Sequence, residues 1–190
     1  MTPSLFHFSE DPAIARFDPR PVRVSAERAP GMDWLNGPLV WAIEASHQAL
    51  YLFPRDCPRI LAWARAGSTT ADIDRWMGPG RPTRVAFVEW AWFDRLKTAR
   101  LHRYDLPPET FESLADAGMW VSRQAVTPRG VETLDDLPAA LGALGVELRL
   151  MESLLPLKDL WSSSLHASGI RLRNAQGWLA AGQPLRAAGR

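Results

Sequence analysis

The first residues with chemical potential are His7 and Ser9, in the segment Leu5-Phe-His-Phe-Ser. The segment predicts a short strand, in which alternate side chains point to opposite faces. His7 and Ser9 then share one face, and Phe6 and Phe8 share the other and favour the core. We therefore predict that His7 and Ser9 line a cleft. The alternative is a structural histidine at a sheet edge, bonded to a backbone carbonyl, as is common for half-buried histidines.

A second cluster of interest is the turn bracketed by Pro54 and Pro58, which carries Arg55 and is followed directly by Arg59. Two prolines make the turn rigid, and two guanidinium groups on it suit a phosphate. The alternative is a pair of solvated surface arginines that contribute little stability. Cys57, in the same turn, is interpreted as a small apolar filler rather than a nucleophile, because no histidine adjoins it in sequence.

A third cluster is Ile170-Arg-Leu-Arg-Asn, which contains Arg171 and Arg173. In an extended segment these two arginines share a face and could bind an anion together. A solvated strand face is the competing interpretation.

Several well-known signatures do not occur in the sequence. It contains no Walker-type phosphate loop, no G-x-G-x-x-G, no H-E-x-x-H and no G-x-S-x-G. The histidines, which are His7, His47, His102 and His166, lie far apart in sequence. The pattern therefore predicts no metal site.

Composition is that of an ordinary globular protein. Of 190 residues, 46% are hydrophobic and 23% charged, and the formal net charge is +1. This balance argues against an extended nucleic-acid-binding surface, although it leaves room for a local basic patch. No apolar run approaches the ~20 residues of a membrane span, and the first residues do not resemble a signal peptide. We expect a cytoplasmic protein without a disulfide, since Cys57 is the single cysteine.

Hydrophobic periodicity and turn residues predict the order of elements. Strands are expected at 5–8, 39–43, 59–64, 85–90, 100–106, 119–126 and 146–150. Helices are expected at 45–53, from Thr69 or Thr70 to 77, at 109–117 before Gly118, at 137–144 after an Asp136 cap, and from about Pro156 to Gly169.

The mixed order of strands and single helices predicts an α+β fold. We expect a single domain over residues 1–175, with a twisted, mostly antiparallel sheet and several short helices. Residues 176–190 are expected to form a loose tail, since they are rich in Ala, Gly and Arg.

Four blocks of the chain carry a family resemblance. They are Leu5-Phe-His-Phe-Ser-Glu-Asp, Val40-Trp-Ala-Ile, Leu50-Tyr-Leu-Phe-Pro-Arg-Asp-Cys-Pro-Arg and Ser168-Gly-Ile-Arg-Leu-Arg-Asn-Ala. Together they resemble an uncharacterised bacterial family of unknown function, over the chain up to about Ala175. The order of the first two blocks is also distantly similar to ADP-ribosyltransferase-like proteins.

The second resemblance implies a bound NAD and a set of site residues. His7 and Ser9 match the His-x-Thr/Ser strand that holds the dinucleotide, and Tyr51 matches the ring that stacks on nicotinamide. Gln124 is the best match for the third, usually acidic, catalytic position. An amide there carries no negative charge to stabilise an oxocarbenium-like centre, so the match departs from the transferase pattern.

Three functional hypotheses follow. The first is a protein that binds a small nucleotide of the NAD or ADP-ribose type, as a divergent ADP-ribosyltransferase-like enzyme, with Arg55 or Arg59 near the phosphates. The second is a noncatalytic interaction protein. The third is an enzyme that recognises phosphate or RNA ends through Arg55, Arg59, Arg171 and Arg173.

Overall fold

The computed structural model describes residues 3–25 and 27–180. These residues belong to two compact units. The first unit draws on Met1–Tyr51 and Leu101–Leu134, and the second on Leu52–Arg100 and Asp135–Gln183.

The described residues form ten strands, numbered in chain order. They are β1 (Leu5–Ser9), β2 (Val40–Glu44), β3 (Arg59–Trp63), β4 (Arg84–Glu89), β5 (Leu101–Leu106), β6 (Phe111–Ser113), β7 (Met119–Ser122), β8 (Gly130–Leu134), β9 (Val146–Met151) and β10 (His166–Ile170). The α-helices are α1 (Thr70–Asp72), which continues as a π-helical turn over Ile73–Met77, α2 (Phe93–Thr98) and α3 (Leu137–Ala143). Short 3₁₀ helices cover Asp33–Asn36, Ala45–Tyr51, Trp90–Trp92, Pro108–Thr110, Leu155–Ser162 and Leu172–Asn174.

The sheet of the first unit contains six strands in the order β6-β7-β2-β1-β5-β8. Every neighbouring pair is antiparallel. β1 lies in the middle, with Ser9 opposite His102 on β5. One face of this sheet carries a hydrophobic core formed by Leu5, Phe17, Val40, Ala42, Tyr104, Leu106, Phe111 and Val126. Alternate side chains of the central strand β1, which are Leu5, His7 and Ser9, therefore lie on the face of this core.

The sheet of the second unit contains four strands in the order β10-β3-β4-β9. Pairing is antiparallel except between β4 and β9, which are parallel. The outer strands β9 and β10 are mostly half-buried, whereas the central strands β3 and β4 are almost entirely buried: Ile60 and Phe87 join one core cluster, and their neighbours Leu61 and Val88 on the other face are also buried. Such uninterrupted burial is typical of strands packed on both sides.

The predicted α+β class, with mostly antiparallel pairing and several short helices, is confirmed. The caps predicted at two helix starts are also found. Thr69 accepts a hydrogen bond from the Asp72 amide (3.2 Å), and Asp136 accepts one from the Ala139 amide (2.9 Å). The division of the strands between two sheets was not predicted.

The helix predicted at 109–117 is wrong. A short 3₁₀ turn over Pro108–Thr110 leads instead into β6, which pairs with β7. Phe111 is buried through this pairing, so an apolar residue that fits a helix pattern is satisfied in a strand. Gly118, expected to end a helix, belongs to the turn between the two strands and has φ +72°.

The helix predicted from Pro156 to Gly169 is also wrong beyond its first half. The 3₁₀ helix ends at Ser162, Ser163 is extended (φ −83°, ψ 171°), and β10 follows. A Cβ on Gly169 would lie 2.4 Å from Leu172 Cδ1. Glycine is therefore needed here for close packing, rather than to end a helix.

Among the strands and α-helices, α2 and β8 lie where neither a strand nor a helix was predicted. The single domain ending at residue 175 stays a prediction. Trp178 falls in the predicted loose tail, yet it is buried and packs with the core of the second unit. Residues 181–190 lie outside the described residues. Among the described helices, none has both the length and the apolar character needed to cross a membrane.

Candidate functional site

His7 lies on the core side of the first sheet. Its register places it opposite Tyr104, and its side chain shares a face with Leu5. The ring packs against Phe17, with centroids 4.6 Å apart. His7 is half-buried. Phe6 and Phe8, which were expected in the core, are half-buried as well. The polar residue, not its phenylalanine neighbours, thus faces the main core of this unit.

A hydrogen bond fixes the imidazole of His7. Nδ1 lies 2.8 Å from the carbonyl oxygen of Trp41 on β2. A carbonyl only accepts, so Nδ1 carries the proton and donates it, and in the neutral ring Nε2 is the acceptor nitrogen. This contact is the backbone bond of the structural alternative, and it also sets the tautomer and orientation of a ring that could contact a ligand.

The bond to Trp41 lies where the pairing of two central strands ends. β1 and β2 pair only through Leu5 with Glu44 and Phe6 with Ile43. Beyond these two pairs, the His7 side chain takes the place of a backbone donor to the Trp41 carbonyl. A shortened ladder in the middle of a sheet gives side chains room to reach the gap between the strands.

Three further polar side chains share the face of His7. Ser9 lies two residues along β1, and the register puts His102 opposite Ser9 and Thr133 opposite His102. His102 is buried, with 7% of its surface exposed, and its Nδ1 lies 3.1 Å from the Thr133 hydroxyl. The Ser9 hydroxyl accepts from the Asp11 amide at 3.1 Å. Strand pairing therefore brings together two histidines that are far apart in sequence.

Glu44 places a carboxylate on the same face, at the other end of β2. The register sets it opposite Leu5, which shares the face of His7. Its Oε1 accepts from the Ser46 hydroxyl (2.5 Å) and from His47 Nδ1 (3.0 Å), and its Oε2 from Trp120 Nε1 (3.4 Å). The side chain of Glu44 is 30% exposed. The carboxylate is therefore held in place and still reaches solvent.

These hydrogen bonds keep Glu44 ionised. The bond from Ser46 is the main cause that lowers the pKa of this carboxyl below its ordinary value, and bonds from His47 and Trp120 add to it. Partial burial acts in the opposite direction but does not prevail. An ionised, partly exposed carboxylate is an acceptor for ligand hydroxyl groups.

Sequence reasoning missed Glu44, although a signal was present. Glu44, Ser46 and His47 stand within four residues at the end of a predicted strand. An acid, a hydroxyl and an imidazole so close together in sequence can hydrogen-bond to one another and form a local polar cluster.

The turn between β6 and β7 completes this side of the unit. Ala115 (φ 53°), Ala117 (φ 42°) and Gly118 (φ 72°) all have positive φ, and non-glycine residues in this region cost free energy. The turn also carries Asp116, whose pKa is raised by burial. Strained backbone beside a charged cluster is a recurring property of functional sites.

Tyr51 is in the first unit but not beside His7. Its hydroxyl donates to the sulfur of Met119 (3.3 Å), which pairs with Ile43. Directly paired residues share a face, so Met119 belongs to the face opposite His7. The structure therefore gives Tyr51 a different environment from the one implied by a ring that stacks beside His7.

Gln124 does not lie in a strand. β7 ends at Ser122, and Gln124 is exposed in the bend that follows. Its backbone N–H donates a hydrogen bond to the Ser122 hydroxyl (3.1 Å). The prediction that Gln124 lies in a strand is therefore wrong, because β7 ends four residues before the end of the strand predicted at 119–126.

Arg55 and Arg59, both in the second unit, do not form a matched pair. Arg59 is only 3% exposed, donates to the Cys57 carbonyl (3.0 Å) and stacks over Phe53, with its guanidinium carbon 5.1 Å from the ring centroid. Arg55 is exposed. The prediction of two arginines projecting together from one turn is wrong, since Arg59 is part of the core of its unit.

The prediction that Arg171 and Arg173 share one face of an extended segment is also wrong. Arg171 has a left-handed backbone (φ 57°) and Arg173 lies in a 3₁₀ turn, so the segment is not extended. Arg171 Nε donates to the Arg55 carbonyl (3.2 Å).

Cys57 matches its interpretation as a filler, because it is fully buried and burial raises the pKa of its thiol to about 12.

The described part of the chain contains no group of three or more His, Cys, Asp or Glu residues that could hold a metal ion. The polar groups of the first unit are instead suited to hydrogen bonding: imidazoles, hydroxyls and one ionised carboxylate on one sheet face.

An α+β protein with a polar face of this kind is what the fold and site define. Residues 6–175 match the model of a family of unknown function, DUF6886, and the chain belongs to that family. The expected uncharacterised family is thus confirmed. Neither a curated protein nor a solved structure matches the chain.

Proposed function

We propose that the protein binds a nucleotide of the NAD or ADP-ribose type, and that His7 and Glu44 hold its ribose. The observation that carries this proposal is their common position. They share one face of the two central strands: Glu44 is paired with Leu5 at one end of the two-pair ladder, and His7 lies just beyond the other end, where it bonds to the Trp41 carbonyl. The cytoplasm, where NAD is abundant, is the compartment we propose.

The chemistry of the two side chains supports a ribose ligand. A ribose carries two neighbouring hydroxyl groups, and a carboxylate is a strong acceptor for such donors. Glu44 is ionised and partly exposed, and Nε2 of a neutral His7 is an acceptor. Ser9 and His102 add a hydroxyl and a second imidazole on the same face.

A binding experiment tests the proposal directly. We expect NAD or ADP-ribose to raise the melting temperature of the wild type, because a ligand at about 100 times its dissociation constant stabilises by about 2.7 kcal/mol. ADP should bind more tightly than its 2′,3′-dideoxy analogue. Equal affinity for those two ligands would show that no ribose site exists.

Two variants separate a ligand contact from a structural role. Glu44→Gln keeps the size of the side chain and removes its charge, so we expect ten- to hundredfold weaker binding, on the order of one charged hydrogen bond. His7→Asn retains an N–H that can reach the Trp41 carbonyl but lacks Nε2. It should keep the unliganded melting temperature and lose affinity.

Transfer of ADP-ribose is the finer form of the proposal. In that reaction the carboxylate of Glu44, rather than the amide of Gln124, would stabilise the positive charge that develops on the ribose as nicotinamide leaves. We expect the wild type to release nicotinamide from NAD, with water taking its place at the ribose C1′ when no other acceptor is present, and Glu44→Gln to lose that release even at saturating NAD. Binding without release in both proteins would leave a nucleotide-binding protein that is not a transferase.

A noncatalytic interaction protein is the second candidate. It is favoured by the bond from His7 to a backbone carbonyl, which is the contact a structural histidine makes. In that case His7→Asn changes nothing, His7→Ala lowers the unliganded melting temperature, and no nucleotide shifts the wild type. Recognition of RNA ends by the four arginines has less support, since Arg59 is buried.

A further inference from the structure

β8 is an exposed strand at the edge of the six-stranded sheet. It pairs with β5 on one side, and no described strand pairs with its other side. Residues 130–133 are exposed and Leu134 is half-buried. Val131 is 52% exposed, one of the few large hydrophobic residues that stand this far in solvent among the described residues. Its outer backbone N–H and C=O groups are available for pairing.

Three of the features that protect edge strands are absent from β8. Proteins block free edges with proline, lysine or a bulge, as well as with other charged side chains. The sequence Gly-Val-Glu-Thr-Leu has neither proline nor lysine, and all five residues pair in unbroken register with β5. The single charge, Glu132, is paired with Arg103 (2.5 Å) and so is partly neutralised. A regular edge whose single charge is already paired is a template for another strand.

We infer that β8 pairs with β8 of a second copy of this chain, in antiparallel orientation, with the two-fold axis at Val131. The two six-stranded sheets then form one continuous sheet. This interface is independent of the proposed nucleotide site.

Symmetry and charge choose the register. Paired residues must share a sheet face, so the axis passes through one residue of β8. With the axis at Glu132, two carboxylates would lie directly opposite each other, which is destabilising. With the axis at Thr133, Val131 would face the acidic Asp135. With the axis at Val131, the two exposed valines face each other.

The chosen register satisfies the remaining positions as well. Glu132 lies opposite Gly130, which has no side chain and leaves the carboxylate on its Arg103 partner. Thr133 lies opposite Arg129, which can donate to a hydroxyl. A Cβ built on Gly130 would have nothing within 4 Å, so the space above this position is open to the opposing Glu132 side chain.

Sedimentation equilibrium over a range of protein concentrations tests the dimer. We expect a reversible monomer–dimer equilibrium for the full chain. Val131→Lys puts two like charges opposite each other and should weaken association at least about tenfold. The matched control is Val24→Lys, because Val24 is 55% exposed but lies outside β8, and it should associate like the wild type.

Oxidative cross-linking tests the register itself. Val131→Cys should give a disulfide-linked dimer, since facing residues on antiparallel strands have Cα separations of about 4.5–5.5 Å. Glu132→Cys should cross-link poorly, because it faces Gly130. The native Cys57 is fully buried and gives a clean background.

Three results would overturn the inference: a monomer at every concentration, dimerisation unaffected by Val131→Lys, or stronger cross-linking at position 132 than at 131. A monomer whose β8 captures an extended peptide would also overturn it, in favour of a different partner.

Discussion

Gly118 leaves no room for a side chain beside Glu44. A Cβ at Gly118 would lie 2.6 Å from Glu44 Cγ and 2.7 Å from His47 Nδ1, and the residue has φ +72°. Its carbonyl also accepts a hydrogen bond from the Glu44 amide (2.9 Å). The turn between β6 and β7 thus packs directly on Glu44 and His47 at the end of β2.

Gly118→Ala should therefore destabilise the protein by about 2–4 kcal/mol, as the sum of a left-handed backbone and an overpacked contact. Chemical denaturation monitored by circular dichroism measures the change. Gly142→Ala is the matched control, since Gly142 lies in α3, is exposed and has open space around its Cβ position. It should stabilise by about 0.5–1 kcal/mol. Equal effects of the two changes would contradict the packing seen at Gly118.

Glu44 should make stability depend on acid pH. Its pKa in the folded protein lies below the ordinary value of 4.5, chiefly because Ser46 donates to it. A carboxyl with a lowered folded pKa contributes stability above its unfolded pKa and loses it as the pH falls through the folded pKa. As the pH is lowered from 5, we expect the free energy of unfolding to decrease less steeply for Glu44→Gln than for the wild type. Identical slopes from urea titrations at several pH values would show that the bonds to Glu44 do not matter for stability.

Arg59 and Arg55 should differ sharply on truncation. Arg59→Ala leaves the Cys57 carbonyl without a buried donor and opens a cavity, so we expect a loss of about 2–5 kcal/mol. Arg55→Ala alters an exposed side chain and should change stability by no more than about 0.5 kcal/mol. Thermal and urea unfolding of both variants provide the measurement. A stable Arg59→Ala protein with reduced phosphate affinity would restore the prediction of a surface arginine pair.

Sequence reasoning succeeded where one local pattern determines the element. Val146-Glu-Leu-Arg-Leu alternates and is β9, and Asp136 ahead of an apolar run caps α3. It failed where a short apolar pattern fits both helix and strand. Phe111 was assigned to a helix by its spacing, but its burial comes from pairing with β7.

The same limit applied to the candidate site. Local spacing places His7 and Ser9 on one face, and the structure retains this. The neighbours of His7 come from β2 and β5, which are distant in sequence, so the Trp41 carbonyl and His102 could not be inferred from spacing. The exposure of Arg59 was also misjudged, because an arginine directly after a turn is more often at the surface than in a core.

Asp116 should destabilise the folded state at neutral pH. Burial raises the pKa of this carboxyl above its ordinary value of 3.8. A raised folded pKa means that stability is greatest below the unfolded pKa and is lost as the pH rises through the folded pKa. Asp116→Asn removes this penalty, so the variant should be more stable than the wild type at pH 7 and no more stable at pH 3. A variant less stable at pH 7 would indicate that the Asp116 carboxylate makes a favourable contact.

Cys57 should report the unfolding of the second unit. Its side chain is fully buried, and burial raises the pKa of its thiol to about 12, although the nearby Arg59 charge acts in the opposite direction. The thiolate is the reactive form, and at pH 8 almost none is present in the folded protein. Alkylation by iodoacetamide should therefore be slow in native buffer and fast in denaturant, with mass spectrometry as the readout. Arg59→Ala should accelerate alkylation in native buffer, because the loosened core opens more often, whereas Arg55→Ala should not. Rapid modification of the native wild type would show instead that Cys57 is an accessible, activated thiol.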